Sequence, residues 1–251
     1  MASHFARWPL TDTSIGTYRL PSALLDASQI LSERRRTRYL AARSLLAELM
    51  WRVYGIPSLP DLATSENGRP HFADPSLPDF SIAYAGNIVG ILLAEERGKA
   101  GLDMEIIRVS RQTPARSVKS LSSAEKAWIK AQSDPEEAAT QLWALRQSLL
   151  KLTGEKEQEN PGLQLHPASG KLRVQEAVDI QIISDVEPLI IWSCALSPGD
   201  ARLHMWEFDG RENWKQLQDI QISTRNLSPK MLRLTNLHKQ EKLQTEGRPE
   251  G

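Results

Sequence analysis

Apolar residues over 32–54 recur at helical spacing. Tyr39, Ala42, Leu46, Leu49, Met50 and Val53 share one stripe, Ser32 stands at the capping position, and Gly55 and Pro57 end the run. A helix is predicted there. The turn chemistry of Glu66-Asn67-Gly68-Arg69-Pro70 then introduces a short strand around His71 and Phe72. Residues 80–94 alternate and are rich in Ile, Val and Leu, which predicts two strands joined by a tight turn at Ala85-Gly86-Asn87. A further strand is predicted over 101–106. Ser122 with Glu125 three residues on has the form of a capping box, with Leu121 placed to staple the entry, so a helix starts there and ends near Gln132. The next helix spans about 135–152, closed by Gly154, with Leu142, Leu145, Leu149 and Leu152 as its apolar stripe.

Strand patterns return at 162–174, 178–184, 189–196 and 203–208, and the polar, weakly periodic residues 223–251 read as a fraying tail. Helix followed by strands occurs once before Gly101 and once after it. The expected fold class is α+β in two similar halves, 1–100 and 101–222, followed by the tail 223–251.

Composition narrows the function. The 251 residues carry 40% hydrophobic and 25% charged side chains, ordinary for a chain with a packed core. Lysine plus arginine balance aspartate plus glutamate, so no global field draws the chain to nucleic acid or a membrane surface, and any anion site is local. The cluster Arg34, Arg35, Arg36 and Arg38 fits a solvated helix start or the rim of such a site rather than a nucleic-acid interface. Cys194, the single cysteine, excludes an internal disulfide and sits in an apolar run as a core residue. The first nine residues lack the apolar stretch of a signal peptide and no run approaches the length of a membrane span, so a cytosolic location is expected. One chain holding both halves makes a monomer the simpler expectation.

In the strand at Gly101-Leu102-Asp103-Met104-Glu105-Ile106, alternation places Asp103 and Glu105 on one face and Leu102, Met104 and Ile106 on the other. Two hard carboxylate ligands suit Mg²⁺, which commonly takes one or two carboxylates with waters and substrate phosphates. The wet face of an ordinary antiparallel strand has the same pattern, so both readings stay open at this point. On the later helix Trp143, Gln147 and Lys151 are spaced four apart, away from the leucine stripe. Glu125 is accounted for by its capping role, to which any catalytic role is additional.

Taken in order, these pieces resemble the Sfp-type 4'-phosphopantetheinyl transferases. The G-x-D-x-E strand appears as Gly101 to Glu105, and the tryptophan–(Lys-Glu)–lysine helix as Trp143, Arg146, Gln147 and Lys151. Upstream, Arg43-Ser44-Leu45-Leu46 is similar to the family's first-helix arginine motif, Gly68-Arg69-Pro70 to its Gly-Lys-Pro turn, and residues 80–86 to its Asn-Ile-Ser-His-Ser-Gly hairpin. Ser122 to Glu125 is similar to the Phe-Ser-x-x-Glu element. The resemblance covers about residues 35–155.

It implies a pseudo-twofold α+β fold with coenzyme A between the halves, Mg²⁺ on its diphosphate, and a carrier-protein serine attacking phosphorus. Carried over by position, Arg43, Gly68, Arg69, Pro70, Tyr84, Ala85 and Gly86 would bind coenzyme A, with the two guanidinium groups on phosphates. Asp103 and Glu105 would hold Mg²⁺, and Lys151 would stabilise the leaving 3',5'-ADP or the transferring phosphoryl group. The chain departs from the pattern in three places. Gln147 stands for the family's glutamate and cannot act as a base, Tyr84 replaces the hairpin histidine between Ala83 and Ala85, and Arg146 replaces the lysine beside Gln147. Glu125 or a metal-bound water is the expected substitute base. The implied activity is phosphopantetheine transfer to an acyl or peptidyl carrier protein. The alternative is a pseudoenzyme that binds coenzyme A or the carrier without turnover.

Overall fold

The computed structural model describes residues 2–11, 14–107, 121–155, 162–175, 179–199, 202–220 and 228–236. The chain folds into two compact units, Met1–Lys99 with Arg202–Ile222, and Ala100–Ala201 with Ser223–Gly251.

The first unit opens with β1 (Ala2–Pro9), then α1 (Ser22–Ser28) and α2 (Glu33–Tyr54). The hairpin β2 (Leu62–Thr64) and β3 (Pro70–Phe72) follows, then β4 (Phe80–Ala85) and β5 (Ile88–Leu93). Two later strands, β11 (Arg202–Phe208) and β12 (Trp214–Ile220), complete a five-stranded sheet in the order β12-β11-β1-β5-β4. Here β1 runs parallel to β11, from Ala2↔Arg202 to Arg7↔Glu207, and antiparallel to β5. The contiguous halves expected from sequence are therefore corrected: β11 and β12 join the first unit, where β11 pairs the edge of β1 opposite β5 and β12 pairs β11.

α2 covers this sheet. Its buried residues Ala42, Leu45, Leu46, Leu49 and Met50 pack with Ala6, Trp8, Phe80, Val89, Ile91 and Leu93, which alternation places on one side of β1, β4 and β5. Gly55 ends the helix at φ 68°, where its N–H reaches the carbonyl of Trp51, while the side chain of Ser32 makes no capping bond. Arg36, in the first turn, instead donates to the carbonyls of Ser28, Gln29 and Leu31 and so closes the end of α1. In the β4–β5 turn the expected Gly86 takes φ 58°.

The second unit contains β6 (Lys99–Ile106), which begins at the boundary, then α3 (Ser123–Lys130) and α4 (Pro135–Thr153). Its strands are β7 (Gln164–His166), β8 (Lys171–Arg173), β9 (Gln181–Val186), β10 (Ile190–Ser197) and β13 (Leu232–Asn236), giving a sheet ordered β6-β10-β9-β13-β8-β7. The single strand expected over 162–174 is a hairpin, turned at Gly170 with φ 68°. β13 corrects the expectation of a fraying tail: it sits inside the sheet, antiparallel to β9 and parallel to β8. The rest of that tail, 223–227 and 237–251, and the expected strand start at Val178 lie outside the described residues.

Both helices begin as the sequence predicts. Ser122 Oγ accepts from the N–H of Glu125 at 3.2 Å, and Asp134 caps α4 through the N–H of Glu137. Leu142, Leu145, Leu149 and Leu152 are all buried, packed with Leu165, Ile182 and Ala195. Cys194 is buried on β10 as expected. The molecule is α+β, and no helix of the described residues is long and apolar enough to cross a membrane.

Candidate functional site

In the second unit, β6 lies so close to α4 that a side chain at position 101 has no room. A Cβ there would stand 2.0 Å from the carbonyl oxygen of Ser148 and 2.7 Å from the nitrogen of Leu152, both helix backbone. Glycine permits this approach. It brings Lys151 over the strand, where Nζ donates to the carbonyl of Leu102 at 2.7 Å and stands 3.8 Å from Asp103 Oδ1. Ser148 Oγ shares a hydrogen bond with Ser193 Oγ of β10 at 2.8 Å, which ties the same turn of helix to the neighbouring strand.

Asp103 is 8% exposed, so it is not on a wet face. Among the described residues its Oδ2 is buried without a hydrogen-bond partner. Burial raises the affinity of Asp103 for a proton well above the usual carboxylate range, the negative charge of Glu105 raises it further, and Lys151 opposes both. A buried acceptor with no donor carries a large desolvation cost, which a divalent cation on that oxygen would offset. Among the described residues no three His, Cys, Asp or Glu side chains converge, so the chain offers a pair of carboxylates rather than a closed cage. That donor set fits Mg²⁺, which keeps several positions for water and phosphate oxygens. Gln147 and Trp143, half-buried, occupy the α4 turns before Lys151.

Glu125 is placed differently from the catalytic expectation. It is 0% exposed. Oε1 accepts from the N–H of Leu165 at 2.9 Å, Oε2 from the N–H of Ser122 at 3.0 Å, and both from Arg146 Nη2 at 3.1 and 3.2 Å. Four acceptor directions are thus taken by protein donors. Glu125 is a junction that fixes α3, α4 and β7 to one another, and this geometry corrects its assignment as a substitute base. Arg146, likewise buried, serves the same junction.

In the first unit Arg43 lies on the ring of Tyr39, 3.6 Å from guanidinium carbon to ring centre, and donates through Nη1 to the Tyr39 carbonyl. Its Nε is buried without a hydrogen-bond partner among the described residues. Arg38 donates to the carbonyl of Gly86 in the β4–β5 turn and lies 5.8 Å from the Tyr84 ring. Burial pushes the Tyr84 hydroxyl above its ordinary range, against the pull of Arg43 and Arg38. Two guanidinium groups and one phenol therefore share a corner of α2 and the hairpin, which is the chemistry of an oxyanion site. Gly86 is tied to this corner through its carbonyl, which accepts from Arg38. Arg38 was legible only as one of a run of four arginines. Arg69 is drawn elsewhere: Nη2 binds Asp79 Oδ2 at 2.9 Å and the carbonyl of Phe80 at 2.8 Å, pinning the turn of Gly68, at φ 83°, and Pro70 to the start of β4. This internal ion pair holds one end of the guanidinium that the resemblance assigns to a phosphate.

The profile of the 4'-phosphopantetheinyl transferase superfamily matches residues 99–194, a span that includes the carboxylate pair and Lys151. The chain is 43% identical over 241 residues to uncharacterized protein YieE of Escherichia coli K12, covering 94% of this chain and 96% of that one. It is 26% identical over 144 residues to the 4'-phosphopantetheinyl transferase AcpT of Salmonella typhimurium, 57% of this chain and 70% of the relative. To AcpT of Escherichia coli K12 it is 37% identical over 75 residues, 30% of this chain and 34% of the relative.

Proposed function

The chain belongs to the 4'-phosphopantetheinyl transferase superfamily, and on that footing we propose that it transfers 4'-phosphopantetheine from coenzyme A to a serine of an acyl or peptidyl carrier protein, releasing 3',5'-ADP. The observation that carries the proposal is the buried Oδ2 of Asp103, without a hydrogen-bond partner among the described residues, with Glu105 beside it and the Lys151 ammonium 3.8 Å from the other oxygen. Asp103 and Glu105 would hold Mg²⁺. When bound, that ion neutralises charge on the diphosphate of the donor. Lys151 is held by the Leu102 carbonyl and is partly exposed, so its charge would stabilise the oxygen that gains charge as the diphosphate bond breaks. Arg43, Arg38 and Tyr84 would bind the phosphate on the nucleotide of coenzyme A, which gives ground-state and transition-state affinity alike and so acts mainly on KM.

Gln147 accepts no proton as a base, and Glu125 is enclosed. The serine proton therefore leaves to water, with the Gln147 amide able to orient the hydroxyl. General-base assistance typically contributes ~10²–10⁴ in rate, and its loss predicts slow turnover for this chain. The substitution at Gln147 is also what favours the second reading, a binding protein that retains coenzyme A and the carrier without turnover. Incubation with coenzyme A, Mg²⁺ and apo carrier proteins, followed by mass spectrometry of the carrier, decides between them. A phosphopantetheine increment that disappears in Asp103→Ala supports transfer. Coenzyme A binding with no increment on any carrier selects the second reading.

A further inference from the structure

Away from both clusters, the first unit has a cavity of about 560 Å³, within the range of small-molecule sites, lined by Tyr18, Arg19, Glu48, Trp51, Arg52, Glu212 and Trp214. Glu48 and Arg52 are one turn apart on α2 in the order that favours an ion pair. Among the described residues no such pair forms. Each is held to its own side. Glu48 is 7% exposed and receives the Tyr18 hydroxyl at 2.8 Å and Arg19 Nε at 3.0 Å, both on Oε1. Arg52 lies with its guanidinium carbon 4.6 Å from the Trp206 ring and 5.6 Å from the Trp214 ring, and none of the described residues accepts a hydrogen bond from it. Arg19 repeats the device, 4.8 Å from Tyr18 and 4.6 Å from Trp51. A second oxygen of a nearly buried carboxylate and an uncommitted guanidinium fork thus border one aromatic-walled space. Trp51, at 44% exposed, leaves part of a large apolar ring open beside it.

From this arrangement we infer that the cavity binds a small zwitterion, an α-amino acid with an aromatic side chain, whose ammonium meets Glu48 Oε2, whose carboxylate meets Arg52, and whose ring stacks on Trp51. The ligand completes the ion pair that Glu48 and Arg52 are prevented from making directly. A simple cation is disfavoured because Arg19 and Arg52 already place positive charge against these rings, while part of the Trp51 ring stays open. A simple anion leaves the Glu48 oxygen unanswered in a space it cannot share with negative charge. The cavity does not involve the transferase residues, so its occupancy stands independently of the proposed transfer.

The test is calorimetric titration of the full chain with L-phenylalanine, phenethylamine, 3-phenylpropanoate and glycine, which remove in turn nothing, the carboxylate, the ammonium and the ring. Phenylalanine is expected to saturate with Kd of ~1 mM or tighter, and each truncated analogue to bind at least ~10-fold more weakly, since each loses one charge-assisted bond or the stacking surface. Arg52→Met, which keeps an apolar stem against the two tryptophans at an exposed position, is expected to abolish binding while its urea midpoint stays at the wild-type value. Glu48→Gln is expected to weaken phenylalanine but leave 3-phenylpropanoate unchanged or stronger. Absence of saturation by ~10 mM phenylalanine, equal binding of phenylalanine and 3-phenylpropanoate, or unaltered affinity in Arg52→Met would each overturn the inference.

Discussion

Glu125→Gln is the substitution that separates a structural from a chemical role for this carboxylate. The wild-type side chain is fully enclosed and accepts from Arg146, Leu165 N–H and Ser122 N–H with both oxygens. Glutamine keeps the size but supplies one oxygen, and its amide nitrogen would meet either the Leu165 or the Ser122 N–H, donor against donor. The change also leaves the Arg146 guanidinium buried with no counter-charge. Breaking one side of a buried ion pair costs about 3–5 kcal/mol, and an orphaned buried N–H adds about 1–3 kcal/mol, so most of an ordinary domain's stability is at stake. Urea unfolding followed by tryptophan fluorescence measures the loss. A loss of at least about 3 kcal/mol, with transfer activity falling in step with the folded fraction, is expected. Stability within about 1 kcal/mol of wild type together with abolished transfer would refute the reasoning and make Glu125 a participant in the chemistry.

Asp103→Asn removes a buried charge with no donor on one oxygen, so the ligand-free protein is expected to gain roughly 1 kcal/mol while the rise in Tm that Mg²⁺ gives with coenzyme A disappears; an unchanged Mg²⁺ effect would count against metal binding there. Gly101→Ala drives a methyl into helix backbone that cannot rotate aside, and overpacking of this kind costs about 1–3 kcal/mol or more, read as a lower urea midpoint. His4 has its pKa lowered to about 4 by burial, then by His204 and Arg52. Between pH 6.5 and 4 the unfolded chain takes up a proton that folded His4 refuses, so this contribution is intact above pH 6.5 and is lost as pH falls. At about 1.4 kcal/mol per pH unit the fall from 6.5 to about 4 sets an upper bound of about 3.4 kcal/mol, which the residue's partial exposure reduces. His4→Gln, which keeps an acceptor for Trp206 Nε1, should flatten stability against pH across that window.

What the sequence disclosed and what it hid follow from the range of the interactions involved. α2, α3 and α4 were legible because stripe, cap and stop lie within one segment, as in Ser122 with Glu125 and Leu142 to Leu152. β1 was not, because Phe5, Ala6, Arg7 and Trp8 are all buried, and a strand covered on both faces loses its alternation. β13 is five residues of mixed polarity whose place between β9 and β8 depends on partners far along the chain. Strand alternation put Asp103 and Glu105 on one face, but only the resemblance joined them to Lys151, because the approach of α4 to β6 at Gly101 is tertiary. The commitments of Arg69 to Asp79 and of Glu125 to Arg146 and Leu165 could not be read, because tertiary folding supplies those partners.

The parallel pairing of β1 with β11 has a consequence for synthesis. The ribosome delivers β1 before the rest of its sheet, yet the strand that flanks it opposite β5 emerges some two hundred residues later. Until then the nascent first unit carries an open strand edge, the feature that recruits foreign strands or chaperones. The second unit waits as well, for β13. Neither sheet can close before β11 and β13 have emerged, so chains interrupted before residue 202 should be taken up by the proteolytic machinery rather than persist as half-molecules.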